Sequence, residues 1–165
     1  MRKTIEDVLA EAAIRDIQMR YCRAADRMDF AALRECFHPD ATTEYFETTD
    51  VDGFIAMGRQ VLPGFVKTTH NTGNQNVEVS GNTAWAEHYT VATHRLAADD
   101  TGPERDFITS VRYVDRLECR DGDWRILKRV LVLDWTRVDP VGDIGPEPAV
   151  LAGKRDRSDA SYGMM

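Results

Sequence analysis

The stretch TAWAEHYTVATHRL, residues 83–96, repeats with a period of two: Ala84, Ala86, His88, Thr90, Ala92 and His94 fall on one face. That period belongs to an extended strand with unlike faces, one of them built of small residues and histidines. Working outward, the same alternation gives strands at Lys67 to Val79, Arg105 to Arg120 and Trp124 to Val138. Ser80-Gly81-Asn82 joins the first two, and Arg120-Asp121-Gly122-Asp123 joins the last two as a hairpin. The second half of the chain therefore reads as an antiparallel meander.

Upstream the period is helical. Ile5, Val8, Leu9, Ala12, Ile17, Tyr21 and Ala24 recur at spacings of three and four, opened by Thr4 with Asp7 three residues on, and predict an amphipathic helix to Met28. Asp29 caps a short helix from Phe30 to Phe37, a His38-Pro39-Asp40 turn stops it, and Thr42 to Glu47 reads as a strand. Asp50 or Asp52 opens a third helix ending at Pro63-Gly64. Helices first and a long sheet afterwards is the α+β order, with helices covering one face of a curved sheet. Residues 1–138 are expected to form the domain. From Asp139 the chain is expected to be an irregular tail, marked by Pro140, Gly142, Gly145, Pro146 and Pro148, packed at first against the body or a neighbour and frayed along Lys154 to Ser161.

Composition narrows the function. The chain has 165 residues, a single-domain length, and a formal net charge of −7, which repels nucleic acid. No apolar run approaches the roughly 18 residues of a membrane span, and a cytoplasmic protein is expected. Cys22, Cys36 and Cys119 show no CxxC spacing, so no metal site and no disulfide framework are expected. Neither a GxGxxG, a P-loop nor a GxSxG is present, which removes the motifs of dinucleotide, nucleotide and serine-hydrolase chemistry.

A sheet curled over helices encloses a pocket, and the ionisable residues that point into it become the candidates. His70 lies in Lys67-Thr-Thr-His-Asn-Thr-Gly-Asn74, a strand of hydrogen-bonding residues that is costly to bury unless satisfied. His88 and His94 share a face whose small residues leave room for a ligand or for a packed helix. His38 reads as a capping or surface residue. Asp26 follows Met19 and Cys22 on a flank of the helix; it borders a cavity or ends the helix in solvent beside Arg23, Arg27 and Asp29.

The stretches Ile17 to Asp29, Phe37 to Ala41, Thr69 to Asn74, Gly122 to Ile126 and Asp134 to Arg137, taken in order, resemble the SnoaL-like branch of the nuclear transport factor two-like superfamily. Within it the chain is similar to the group of hexachlorocyclohexane dehydrochlorinase, scytalone dehydratase, bile acid dehydratase and a diarylpropane lyase. The resemblance implies a cone-shaped α+β barrel and a cofactor-free lyase acting on a hydrophobic aromatic or alicyclic small molecule. It also implies a homo-oligomer, a trimer, with the tail reaching a neighbour. It places Asp26 and His70 as a catalytic pair in which the carboxylate orients the imidazole base. Tyr45 and His94 match positions that assist the leaving group, and Tyr21, five residues before Asp26, matches a substrate-binding tyrosine. No clear counterpart exists for the polar pair that scytalone dehydratase carries on its third long strand; Val111 and Tyr113 fall nearest. Arg112 is a candidate for holding an anionic or phenolate group, with an outward salt bridge as its other reading. Alternatives are a ketosteroid-type isomerase, disfavoured by the lack of an acidic residue among Lys67 to Val77, and a non-catalytic binding module.

Overall fold

The computed structural model describes residues 3–100, 102–142 and 152–163. Helix α1 (Ile5–Asp26) opens with the capping box foreseen for Thr4 and Asp7: each side chain accepts the other's backbone N–H. Helix α2 (Phe30–Glu35) and helix α3 (Val51–Val61) are capped by Asp29 and Asp50. A 3-10 turn at Leu62–Gly64 follows α3.

The strands are β1 (Phe37–Glu44), β2 (Thr48–Asp50), β3 (Lys67–Ser80), β4 (Thr83–Leu96), β5 (Arg105–Arg120) and β6 (Asp123–Pro140). They form one curved, unclosed sheet in the order β2-β1-β6-β5-β4-β3. All neighbouring pairs are antiparallel except β1 and β6. Asp121 and Gly122 both have positive φ, as a two-residue hairpin matching the strand twist demands. Helix α1 lies across the sheet against β3 and β6. Its buried Ile14, Ile17 and Tyr21 meet Leu33, Phe37, Phe54, Leu117 and Ile126 in one core.

Two expectations need correction here. His38-Pro39-Asp40 is not a turn: Phe37 to Glu44 is a strand, and α2 stops at Glu35. Pro39 is tolerated because the β1/β6 register slips between Phe37 and Thr42, so its missing N–H breaks no ladder bond. Nor is the described end of the tail frayed. Arg155 donates to the carbonyls of Leu62 and Phe65, Tyr162 donates to Asp29, and Arg23 donates to Ser161. The Gly145-Pro146 and Pro148 positions lie outside the described residues.

Bulges decide which side chains face the helices. Between the pairs Thr72↔Thr90 and Gln75↔His88, β3 spends one residue more than β4. His70 and Thr72 therefore lie on the same inner face as Val77 despite opposite parity. In β6, Leu127 and Asp134 are extra residues against β5, which turns Ile126, Arg129, Leu131 and Leu133 toward one side.

Candidate active site

Asp26 is the last residue of α1, where the negative end of the helix dipole disfavours a carboxylate. His70 compensates for that. Its backbone N–H, on an edge strand with no ladder partner on that side, donates to Asp26 Oδ2 at 3.0 Å, and its ring Nδ1 lies 2.7 Å from Oδ1. The side chains are only 12% and 8% exposed for Asp26 and His70. With both carboxylate oxygens engaged, the ring is fixed with Nδ1 as donor, and Nε2 is the nitrogen left free to accept a proton. The solvated-helix-end reading of Asp26 is thereby excluded.

His70 lines a cavity of about 450 Å³ between α1, α3 and the sheet. Its walls are mainly apolar, with Phe54, Phe65, Phe107, Val111 and Leu131 among them. The polar exceptions are His70, His94, Thr109, Thr136 and three tyrosines, Tyr21, Tyr45 and Tyr113. A few polar groups converging on an apolar cavity of this size suit a small hydrophobic ligand. Among the described residues no Asp or Glu lines it.

The tyrosines form a cluster. The hydroxyls of Tyr21 and Tyr45 are 2.7 Å apart, and the rings of Tyr21 and Tyr113 meet edge to face at 5.5 Å. Burial pushes all three phenols above their ordinary range, so they remain protonated donors at neutral pH. Behind them sits Arg129, fully buried, its guanidinium 4.1 Å from the Tyr21 ring centre and 4.5 Å from that of Tyr113. Asp115 holds it by two hydrogen bonds of 2.7 Å. Burial works against the Arg129 charge, but the Asp115 carboxylate outweighs it and raises the guanidinium well above its usual range.

His94 stands at the cavity wall with its ring 5.6 Å from that of His70 and 4.8 Å from that of Phe65. Burial, aided by repulsion from His70, pulls it down to about 4. It is neutral at pH 7 and can hydrogen-bond, but it stores no acidic proton there.

Asp26, His70, Tyr21, Tyr45 and His94 thus come together, as the sequence led us to expect. Arg112 does not. It points to the other face of the sheet, where Glu87 and Asp134 hold it at 2.8 and 3.2 Å, so its salt-bridge reading stands and its ligand-holding one is withdrawn. His38 is neither a cap nor at the surface; it is buried and its Nε2 donates to the carbonyl of Glu118 at 2.9 Å. His88 is fully buried away from the cavity, against the Tyr113 ring at 5.0 Å and with no hydrogen-bond partner on either nitrogen among the described residues. The residues missed were Arg129 and Asp115. The signal for Asp115 was its parity with Val111, Tyr113 and Leu117, which puts a carboxylate on an inward face.

Among the described residues no three His, Cys, Asp or Glu side chains converge as metal ligands, and no helix is long and apolar enough to cross a membrane.

A family model described as SnoaL-like domain matches residues 6–130. The chain belongs to the SnoaL-like family. A search of curated proteins found no match. Solved structures share the fold of this SnoaL-like chain. A type 2 hexachlorocyclohexane dehydrochlorinase, LinA, is 20% identical with a TM-score of 0.72, covering 87% of this chain and 97% of its own. A putative scytalone dehydratase from Novosphingobium aromaticivorans is 23% identical with a TM-score of 0.71, over 84% and 97%. The Kfla4162 protein of Kribbella flavida is 21% identical with a TM-score of 0.70, over 77% and 92%.

Proposed function

We propose that this SnoaL-like protein is a cofactor-independent lyase that eliminates water, a halide or an aldehyde from a hydrophobic aromatic or alicyclic small molecule. The observation that carries this reading is the 2.7 Å contact between His70 Nδ1 and Asp26 at the wall of an apolar cavity. Nε2 of His70 takes a proton from carbon or hydroxyl of the substrate, and Asp26 stabilises the imidazolium. The electron pair released forms the new double bond as the leaving group departs with its own bonding pair. Tyr45 and Tyr21, coupled through their hydroxyls, donate to that leaving group; His94 contributes a neutral N–H. A ketosteroid-type isomerase takes its base from a carboxylate facing the ligand, and among the described residues the cavity lining offers none.

A panel of hydroxylated, halogenated and aryl-substituted alicyclic compounds, followed by mass spectrometry for loss of water, hydrogen halide or aldehyde, tests the reading. His70→Ala and Asp26→Asn should each reduce turnover by about 10²-fold or more with the fold intact. Near-wild-type turnover in either variant refutes it. We further propose a homotrimer, for which the outer sheet face offers exposed Trp85, Tyr89 and Val91. Sizing chromatography with and without the residues after Asp139 checks the assembly and the tail's part in it.

A further inference from the structure

Helix α1 finishes at Asp26, and α3 with its 3-10 turn finishes at Leu62–Gly64. The last carbonyls of a helix have no partner within it, and the negative end of its dipole lies there, so a cation is favoured at such an end. Arg155 serves both ends. Its Nη1 donates to the carbonyl of Leu62, at 3.0 Å, and to that of Phe65. Burial pulls its guanidinium below the usual range and the Asp26 carboxylate works the other way, which puts the two charges within electrostatic reach.

The segment that carries Arg155 has anchors of its own. Asp159 accepts from the backbone N–H groups of Lys154 and Ser161 and lies 3.4 Å from Arg27. Arg23 donates to Ser161, and Tyr162 donates to Asp29. None of these contacts involves Arg155, whose side chain instead reaches past them to the wall of the main cavity. Leu62 and Phe65 both line that cavity. The Phe65 N–H donates to the Leu62 carbonyl at 3.2 Å and its own carbonyl accepts from Arg155, so the residue is fixed on both sides just before β3 begins. Its ring lies against His94 at 4.8 Å, and the His94 ring meets that of His70 edge-on at 5.6 Å. A continuous line of contacts therefore runs from Arg155 to the proposed base. Nε and Nη2 of Arg155 are closed off from solvent with no acceptor among the described residues. That is costly for a clamp that a neutral donor could supply, but it leaves the charge poorly screened by water, so that its field is felt by Asp26 and His94.

From this geometry we infer that Arg155 is a positioning residue of the site: it fixes Phe65 against His94 and holds a cation within reach of Asp26, which makes the folded-back end of the chain part of the site's machinery. The inference rests on the reading of Asp26 and His70 as the reacting pair.

The test uses the full chain with Arg155→Gln, Arg155→Lys and, as control, Arg157→Gln, which removes an exposed charge and a tie to Asp29 from the same segment. The first readout needs no substrate: the ring ¹³C–¹H resonance of His94, followed against pH. The charged and titratable groups that act on His94 are His70 from β3, Asp26 from α1 and Arg155, while β5 packs Phe107 against it. Arg155 repels the imidazolium, so Arg155→Gln should raise the His94 midpoint from about 4, by about half a pH unit, and Arg155→Lys should leave it near the wild-type value. The second readout is turnover of a substrate found by the panel above. Arg155→Gln should lower kcat about tenfold with KM within about threefold, Arg155→Lys should recover most of the loss, and Arg157→Gln should match wild type. An unmoved His94 midpoint or an unchanged kcat in Arg155→Gln overturns the inference. So does Arg155→Lys behaving as Arg155→Gln does, or an equal loss in Arg157→Gln, which would assign the effect to loosening of the segment. Turnover retained in His70→Ala counts against the lyase reading alone, and the His94 midpoint then still judges Arg155.

Discussion

Replacing Asp115 by Asn keeps the shape of the side chain and removes only its charge, which isolates what the carboxylate does for Arg129. Both side chains are completely inaccessible, and the pair is joined by two hydrogen bonds of 2.7 Å. Taking away one partner leaves a guanidinium in the core without a counter-charge, a loss of about 3–5 kcal/mol for such pairs. The rings of Tyr21 and Tyr113 remain over the cation, but a cation–π contact returns only about 1–2 kcal/mol. For a domain whose total stability is about 5–15 kcal/mol, the variant should stay folded but weakened. With a urea slope of about 2 kcal/mol per molar, the unfolding midpoint should fall by about 1.5–2.5 M. Arg129→Met should cost a similar amount, since it strands the carboxylate. The double variant, which buries no charge, should lose clearly less than the sum, with a coupling energy of about 2 kcal/mol or more. Urea unfolding of the four proteins by tryptophan fluorescence gives the cycle. Additive losses, or an Asp115→Asn variant within about 0.5 kcal/mol of wild type, would refute the view of Arg129 as a charge held in place by Asp115.

Three other outcomes follow from the same geometry. Burial, with Arg129 adding repulsion, lowers His88 from 6.5 to about 3, so between those values the unfolded chain binds one more proton than the folded one and stability falls as pH falls. His88→Leu, which removes two unpaired ring nitrogens, should be neutral or stabilising at pH 7 and should lessen the loss between pH 6.5 and 5 by about 2 kcal/mol; parallel pH profiles of wild type and variant in thermal melts would count against it. Tyr45→Phe removes one hydroxyl of the 2.7 Å pair and should cost about 1 kcal/mol of stability while lowering kcat more than it raises KM on any substrate found; a pure KM effect would assign Tyr45 to binding alone. Arg112→Gln should leave kcat and KM unchanged, because its partners Glu87 and Asp134 lie on the sheet face away from the cavity, and a loss of activity would contradict that placement.

Local signals were the legible part of this chain. Thr4, Asp29 and Asp50 announce helix starts because a short polar side chain can accept an N–H that the first turn leaves unpaired. Alternation announced β4 and β5, and Asp121-Gly122 announced the hairpin of β5 with β6, since few residues tolerate positive φ. Residues 37–41 were misread because Pro39 looks like a helix stop and a turn. What permits it in a strand is a register slip against β6, eighty and more residues away.

The sequence by itself determined the order of the helices and the four long strands, though not the short β2, and resemblance across several short stretches raised Asp26 and His70 above their neighbours. Whether those two touch was decided only in three dimensions. His70 and Val77 have opposite parity, so strict alternation sends one of them outward, and a single extra residue in β3 after Thr72 brings both inward. The bulges in β6 do the same for Arg129. A bulge is a mismatch between two strands, and neither strand carries it alone. Arg155 follows the same logic, since it meets the Leu62–Phe65 turn only through the folding back of the chain's end, which no local pattern encodes.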